Sequence, residues 1–204
     1  MSTSPEKLDT KELTYISDQD FLTTKFVITK KIISLFVEAE NLLKSEIQKS
    51  YLNFPEHWIQ KTGKISKGEN YRNLPYLVLD YPRYFRQDEV FAFRTMFWWG
   101  NYFSCTLHVQ GEWLEQYKSN IINNLTNEVD ETLICINQSP WEYHDKNDNY
   151  QLVKELTFEE LSTLVSQHPF LKLSKNLNLL DYQKIPAFSL ECYQNFIKLF
   201  NISK

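Results

Sequence analysis

Apolar residues recur at three- and four-residue spacing between Phe21 and about Tyr51: Ile28, Ile32, Leu35, Ala39 and Leu42, with Phe36, Leu43 and Ile47 beside them. That single stripe predicts one long helix. Ser17 with Asp20 three residues on resembles a capping start, and the helix must stop before Pro55, because the residue ahead of a proline avoids helical geometry. Tyr76–Pro82 (YLVLDYP) is short, rich in β-forming residues and stopped by proline, a strand, and helical spacing returns at Trp113 or Leu114, Tyr117, Ile121 and Leu125. Further strands are expected at Thr132–Pro140 and Tyr150–Leu156. Thr157 and Glu160 form a Thr-x-x-Glu capping box for a helix ending near His168. Pro186 opens a last helix with Tyr193, Phe196, Ile197 and Phe200 on one face.

The segment Phe91–His108 (FAFRTMFWWGNYFSCTLH) carries one formal charge and seven large aromatic residues. A membrane span needs roughly twenty apolar residues, and Arg94, Asn101 and His108 spread polarity across this window. A single strand of about twenty residues would run about 65 Å, several times the usual length. Gly100-Asn101 is a turn pair, so the segment predicts a hairpin, roughly Val90–Trp98 and Tyr102–Gln110.

Loop length decides which side chains share a face. A two-residue loop mixes Phe93 and Phe97 with Ser104, Thr106 and His108. A three-residue loop, Trp99-Gly100-Asn101, keeps parity. It puts Phe91, Phe93, Thr95, Phe97, Phe103, Cys105, Leu107 and Val109 on one face and Arg94, Met96, Trp98, Tyr102, Ser104, Thr106 and His108 on the other. The second arrangement separates apolar from polar far better, and burial favours it.

The element order is a long helix, strands, a helix, two strands and two helices, without βαβ alternation or a Gly-rich turn. The fold class is therefore α+β: a single, mainly antiparallel sheet of about 4–6 strands with a central 90–110 hairpin, packed against the long N-terminal helix and C-terminal helices. Residues 1–17 read as a flexible tail and 18–204 as one domain, with a polar loop at 56–75.

Composition narrows the function classes. The 204 residues are 42% hydrophobic and 15% aromatic, outside the range of disordered chains. A net charge of −4 argues against DNA or an anionic membrane as partner. Three scattered cysteines, Cys105, Cys135 and Cys192, read as reduced thiols in a cytoplasmic protein. All four arginines fall between Arg72 and Arg94, and residues 61–94 carry +3, leaving −7 for the remainder.

The candidate ligand-binding residues are Arg94 as an anion clamp, Trp98 and Tyr102 as walls for a planar group, Thr106 and His108 as hydrogen-bonding partners, and Arg72 as a lid residue on the 56–75 loop. The bland counterpart is that helices cover this face and Arg94 pairs with an acid such as Asp80. His57, His108, His144 and His168 lack metal-ligand spacing, so no metal is expected, and no sequence feature implies a cofactor. GKISKGENYRNLP lacks the Walker order, and no nucleophile elbow, kinase set or dinucleotide fingerprint is present. The leading expectation is binding of a small anionic or planar ligand. The alternatives are an interaction protein that self-associates through an aromatic sheet surface, and an acid/base enzyme using His108 or His144.

Overall fold

Helix α2, Gln19–Lys49, is the long helix that the apolar stripe predicts. In the computed structural model, residues 6–49, 54, 62–125 and 131–201 are described. The chain divides into two units, one ending at Ser34 and one beginning at Leu35, and α2 contributes to both. In the first unit α2 is preceded by a separate helix, α1, Thr10–Ser17. The Asp9 side chain accepts from the Glu12 amide while Glu12 reaches back to Asp9, so this stretch of the expected tail is a capped helix. Asp18, rather than Ser17, caps α2, accepting from the Phe21 amide at 2.8 Å.

The second unit is built on one antiparallel sheet of seven strands in the order β1-β2-β3-β4-β7-β5-β6. The strands are β1 Lys64–Tyr71, β2 Leu74–Phe85, β3 Val90–Trp98, β4 Tyr102–Gln110, β5 Leu133–Cys135, β6 Tyr150–Leu152 and β7 Phe170–Asn178. The α+β class and the flanking helices are as expected. The count exceeds the expected 4–6 because β1 and β7 are strands that the sequence pattern hides. β1 replaces most of the expected 56–75 loop, of which 55–61 lie outside the described residues. Its sequence KISKGENY alternates only weakly, as suits an edge strand with few buried positions. Gly68 in β1 has a local cause, since a Cβ there would fall 2.4 Å from the Tyr76 ring of β2. β5 and β6 are three residues each, shorter than expected, and Val153–Glu155 turns into a 3-10 segment.

The hairpin has the three-residue loop. Trp98 pairs with Tyr102, Phe97 with Phe103 and Arg94 with Thr106, and Gly100 takes φ +71 in the turn. The odd face is the main core. Phe91, Phe93, Thr95, Phe103, Cys105, Leu107 and Val109 are buried there, and α5, Ile185–Lys198, lies over them. Its Ser189 hydroxyl bonds Thr95 at 2.8 Å, and Tyr193 stands edge-on to Phe93 at 5.4 Å. α3, Glu112–Leu125, adds Trp113 against Phe91. α4, Phe158–Gln167, starts at the expected Thr157/Glu160 box. From the unit's part of α2, Phe36, Ala39, Leu43 and Ile47 are buried, and Glu40 accepts from the Gly63 amide at 2.8 Å.

Candidate functional site

The even face of the sheet is covered by a strap of backbone, residues 136–149, that connects β5 to β6. Among the described residues, the groups packed against it belong to this strap rather than to a helix. In-register pairing sets polar residues in rows across this face: Asp80, Arg94, Thr106 and Ser174 in one, and His108 beside Lys172 in the next. Opposite residues of an antiparallel ladder stand on the same face with Cβ atoms roughly 5 Å apart, so these groups form one continuous layer.

Arg94 is already engaged. Its Nε and Nη2 donate to the two carboxylate oxygens of Asp80 at 2.7 and 2.9 Å, and its Nη1 donates to the Tyr143 hydroxyl at 2.7 Å. Burial by itself lowers the guanidinium pKa, but the Asp80 pairing outweighs it and raises the net value. The expected anion clamp is therefore an internal brace between β2, β3 and the strap. Trp98 is buried with Val78 and Met96, and its ring lies 5.1 Å from Tyr71 and 5.6 Å from Tyr102. Those tyrosines occupy the positions a planar ligand would need. Thr106 shares a hydroxyl hydrogen bond with Ser174 at 3.1 Å.

Arg72 sits with Asn73 in the tight β1–β2 turn, both at positive φ, and its guanidinium reaches Glu142 of the strap at 3.3 Å. The same strap segment is held by Tyr71, whose hydroxyl accepts from the amides of Tyr143 (2.6 Å) and His144 (3.0 Å) and donates to the Glu142 carboxylate at 3.0 Å. Tyr102 donates to the Tyr143 carbonyl at 3.1 Å. Within the strap, the fully buried Asn149 donates to the His144 carbonyl.

Lys172 of β7 is the residue the sequence reading misses. It is 1% exposed. Its Nζ donates to the Glu142 carbonyl and lies 4.2 Å from the ring centre of Tyr143 and 5.1 Å from that of Tyr150. Among the described residues no carboxylate forms an ion pair with it. Burial brings its pKa down to about 8. Next to it, burial and then the charges of Lys172 and Arg94 push His108 down to about 3, so its imidazole is neutral at pH 7.

Several polar atoms in this layer have no hydrogen-bond partner among the described residues: His108 Nε2, Tyr150 Oη, both ring nitrogens of His144, and Trp98 Nε1. Burial raises the Tyr150 pKa well above the ordinary phenol value. Buried polar groups normally find partners, and similar atoms occur elsewhere in the fold, among them His168 Nδ1 and Asn201 Oδ1.

An open groove of about 720 Å³ runs beside the strap, with Tyr150, Asn147 and Asn176 along it and Glu131, Asp145 and Glu155 on its walls. A second, more apolar groove of about 490 Å³ lies between α4 and the segment Ile136–Leu156. Neither is lined by Arg94, Trp98, Tyr102, Thr106 or His108.

No family model, curated protein or solved structure matches the chain. The reading of this site therefore rests on its chemistry alone.

Proposed function

We propose that this protein binds a small anion, of the size of inorganic phosphate or a short carboxylate, on the strap side of the sheet, with Lys172 as its charge partner. The observation that carries the reading is an ammonium group 1% exposed and, among the described residues, paired with no carboxylate. A buried cation without a counter-ion is costly. An anion at Nζ would offset that cost and could accept from His108 Nε2, which carries the proton in one neutral tautomer, and from the Tyr150 hydroxyl. Arg94 and Asp80 neutralise one another and hold the frame.

The strap is held by hydrogen bonds, each worth on the order of 1 kcal/mol net, and by the packing of Trp141 and Tyr143, and an ion enters when it is released. Three free, buried cysteines fit a reducing, cytoplasmic setting for such a protein. Among the described residues no helix is long and apolar enough to cross a membrane.

Thermal unfolding at pH 7 tests the proposal. Phosphate or acetate, compared with sodium chloride at matched ionic strength, raises Tm. Stabilisation approaches about 2.7 kcal/mol when the anion reaches roughly a hundred times its Kd. Lys172→Met folds and loses the response. Equal Tm in all three salts overturns the reading.

A further inference from the structure

The first unit displays apolar surface that its own fold leaves uncovered. Leu8, Leu13, Tyr15 and Ile16 around α1, and Phe21, Leu22, Phe26 and Val27 on α2, are between 47% and 62% exposed. None of the α1 residues is buried. Leu22 and Phe26 are one helical turn apart, on the 4-3-4 spacing that Thr29 and Ile33 continue. Scattered exposed apolar residues are ordinary, but eight fall within these twenty positions, and Leu22 and Phe26 share one stripe of α2.

Charge identifies the occupant. Residues 6–20 contain Glu6, Asp9, Glu12, Asp18 and Asp20 against Lys7 and Lys11, a net −3. Residues 21–34 contain Lys25, Lys30 and Lys31 and no acid, a net +3. The segment is thus a dipole of charge with apolar residues along its length. Such a segment complements itself when a second copy runs antiparallel: each acidic half faces a basic half, and the two-fold axis falls near Phe21 and Leu22. A parallel pairing would oppose like charges at both ends.

We infer that the N-terminal segment, residues 6–34, docks antiparallel on the same segment of a second copy of this chain. The interface is isologous, with Phe21, Leu22 and Phe26 at its centre and charge matching setting its direction. It is independent of the strap-side site and needs no ligand.

Sedimentation equilibrium of the full chain over a concentration series tests this. The wild type shows a monomer–dimer equilibrium that weakens by at least tenfold with Phe21→Glu/Phe26→Glu. Two charge variants leave the Asp9, Glu12 and Asp18 caps intact. Lys25→Glu/Lys30→Glu/Lys31→Glu makes both halves negative, and Glu6→Lys/Asp20→Lys makes both positive. Each alone dimerises at least tenfold more weakly than wild type, and an equimolar mixture of the two forms a heterodimer. Circular dichroism confirms that helix content is kept. A wild type that stays monomeric at every concentration, or charge variants that dimerise as wild type does and gain nothing on mixing, overturns the inference.

Discussion

Lys172 of β7 stands directly across the ladder from His108 of β4, and both side chains are buried beneath the strap. Burial disfavours the charged form of both groups, and the Lys172 charge adds to the effect on His108. His108 yields first and is neutral, and Lys172 keeps its proton only below about pH 8.

Lys172 therefore gives stability an unusual alkaline rise. Its pKa is about 8 in the fold and near 10.5 when unfolded, so between those values the unfolded chain binds more protons and folding strengthens as pH increases. Urea unfolding from pH 7.5 to 10 should show Lys172→Met losing this slope, a difference of up to about 3 kcal/mol across the window. Parallel curves for the two proteins would contradict the burial of the ammonium.

His108 produces an acid-side loss. The unfolded imidazole takes a proton near pH 6.5 and the folded one only near 3, so stability is complete above about pH 6.5 and declines as pH falls between these values. By about pH 4 the decline attributable to His108 is on the order of 3 kcal/mol. His108→Gln should remove it. The check is the difference between the two unfolding profiles, which cancels contributions common to both proteins.

Asp80→Asn leaves the Arg94 guanidinium largely buried without its carboxylate. A cost of about 3 kcal/mol is expected from breaking a buried pair at one partner, read as a lower urea midpoint at unchanged slope. Arg94→Lys does not rescue function of the brace, because a point ammonium cannot span both Asp80 oxygens and Tyr143 together.

Tyr71→Phe removes a hydroxyl that accepts two strap amides and donates to Glu142. Amide exchange at Tyr143 and His144 should quicken at least tenfold, about 1.4 kcal/mol in opening free energy. The β3–β4 amides should keep their protection. Uniform loss of protection across the sheet would show that the strap does not open separately.

The hairpin was legible because parity around Trp99-Gly100-Asn101 leaves only one arrangement that buries the phenylalanines, and burial of Phe91, Phe93 and Phe103 follows it. The helix starts at Thr157 and Pro186 were legible as local chemistry. β7 was not, because FLKLSKNLN places Lys172 at a position that looks solvent-facing, and only the strap, a distant segment, buries it. The pairing of Arg94 with Asp80 was legible as the counterpart to an anion clamp, and the β2–β3 register sets it. The strap's role was hidden: WEYHDKND reads as a polar connection, and its contacts with Tyr71, Tyr102 and Lys172 exist only in the folded sheet.

The most direct test of the anion site follows the Lys172 ε-carbon resonance by NMR from pH 6 to 11, with and without phosphate. An anion held at Nζ favours the charged ammonium, so phosphate should raise the Lys172 pKa from about 8 by at least about one pH unit, equivalent to tenfold tighter binding to the protonated form. A Lys172 titration that is the same in phosphate and in chloride at matched ionic strength would contradict the site.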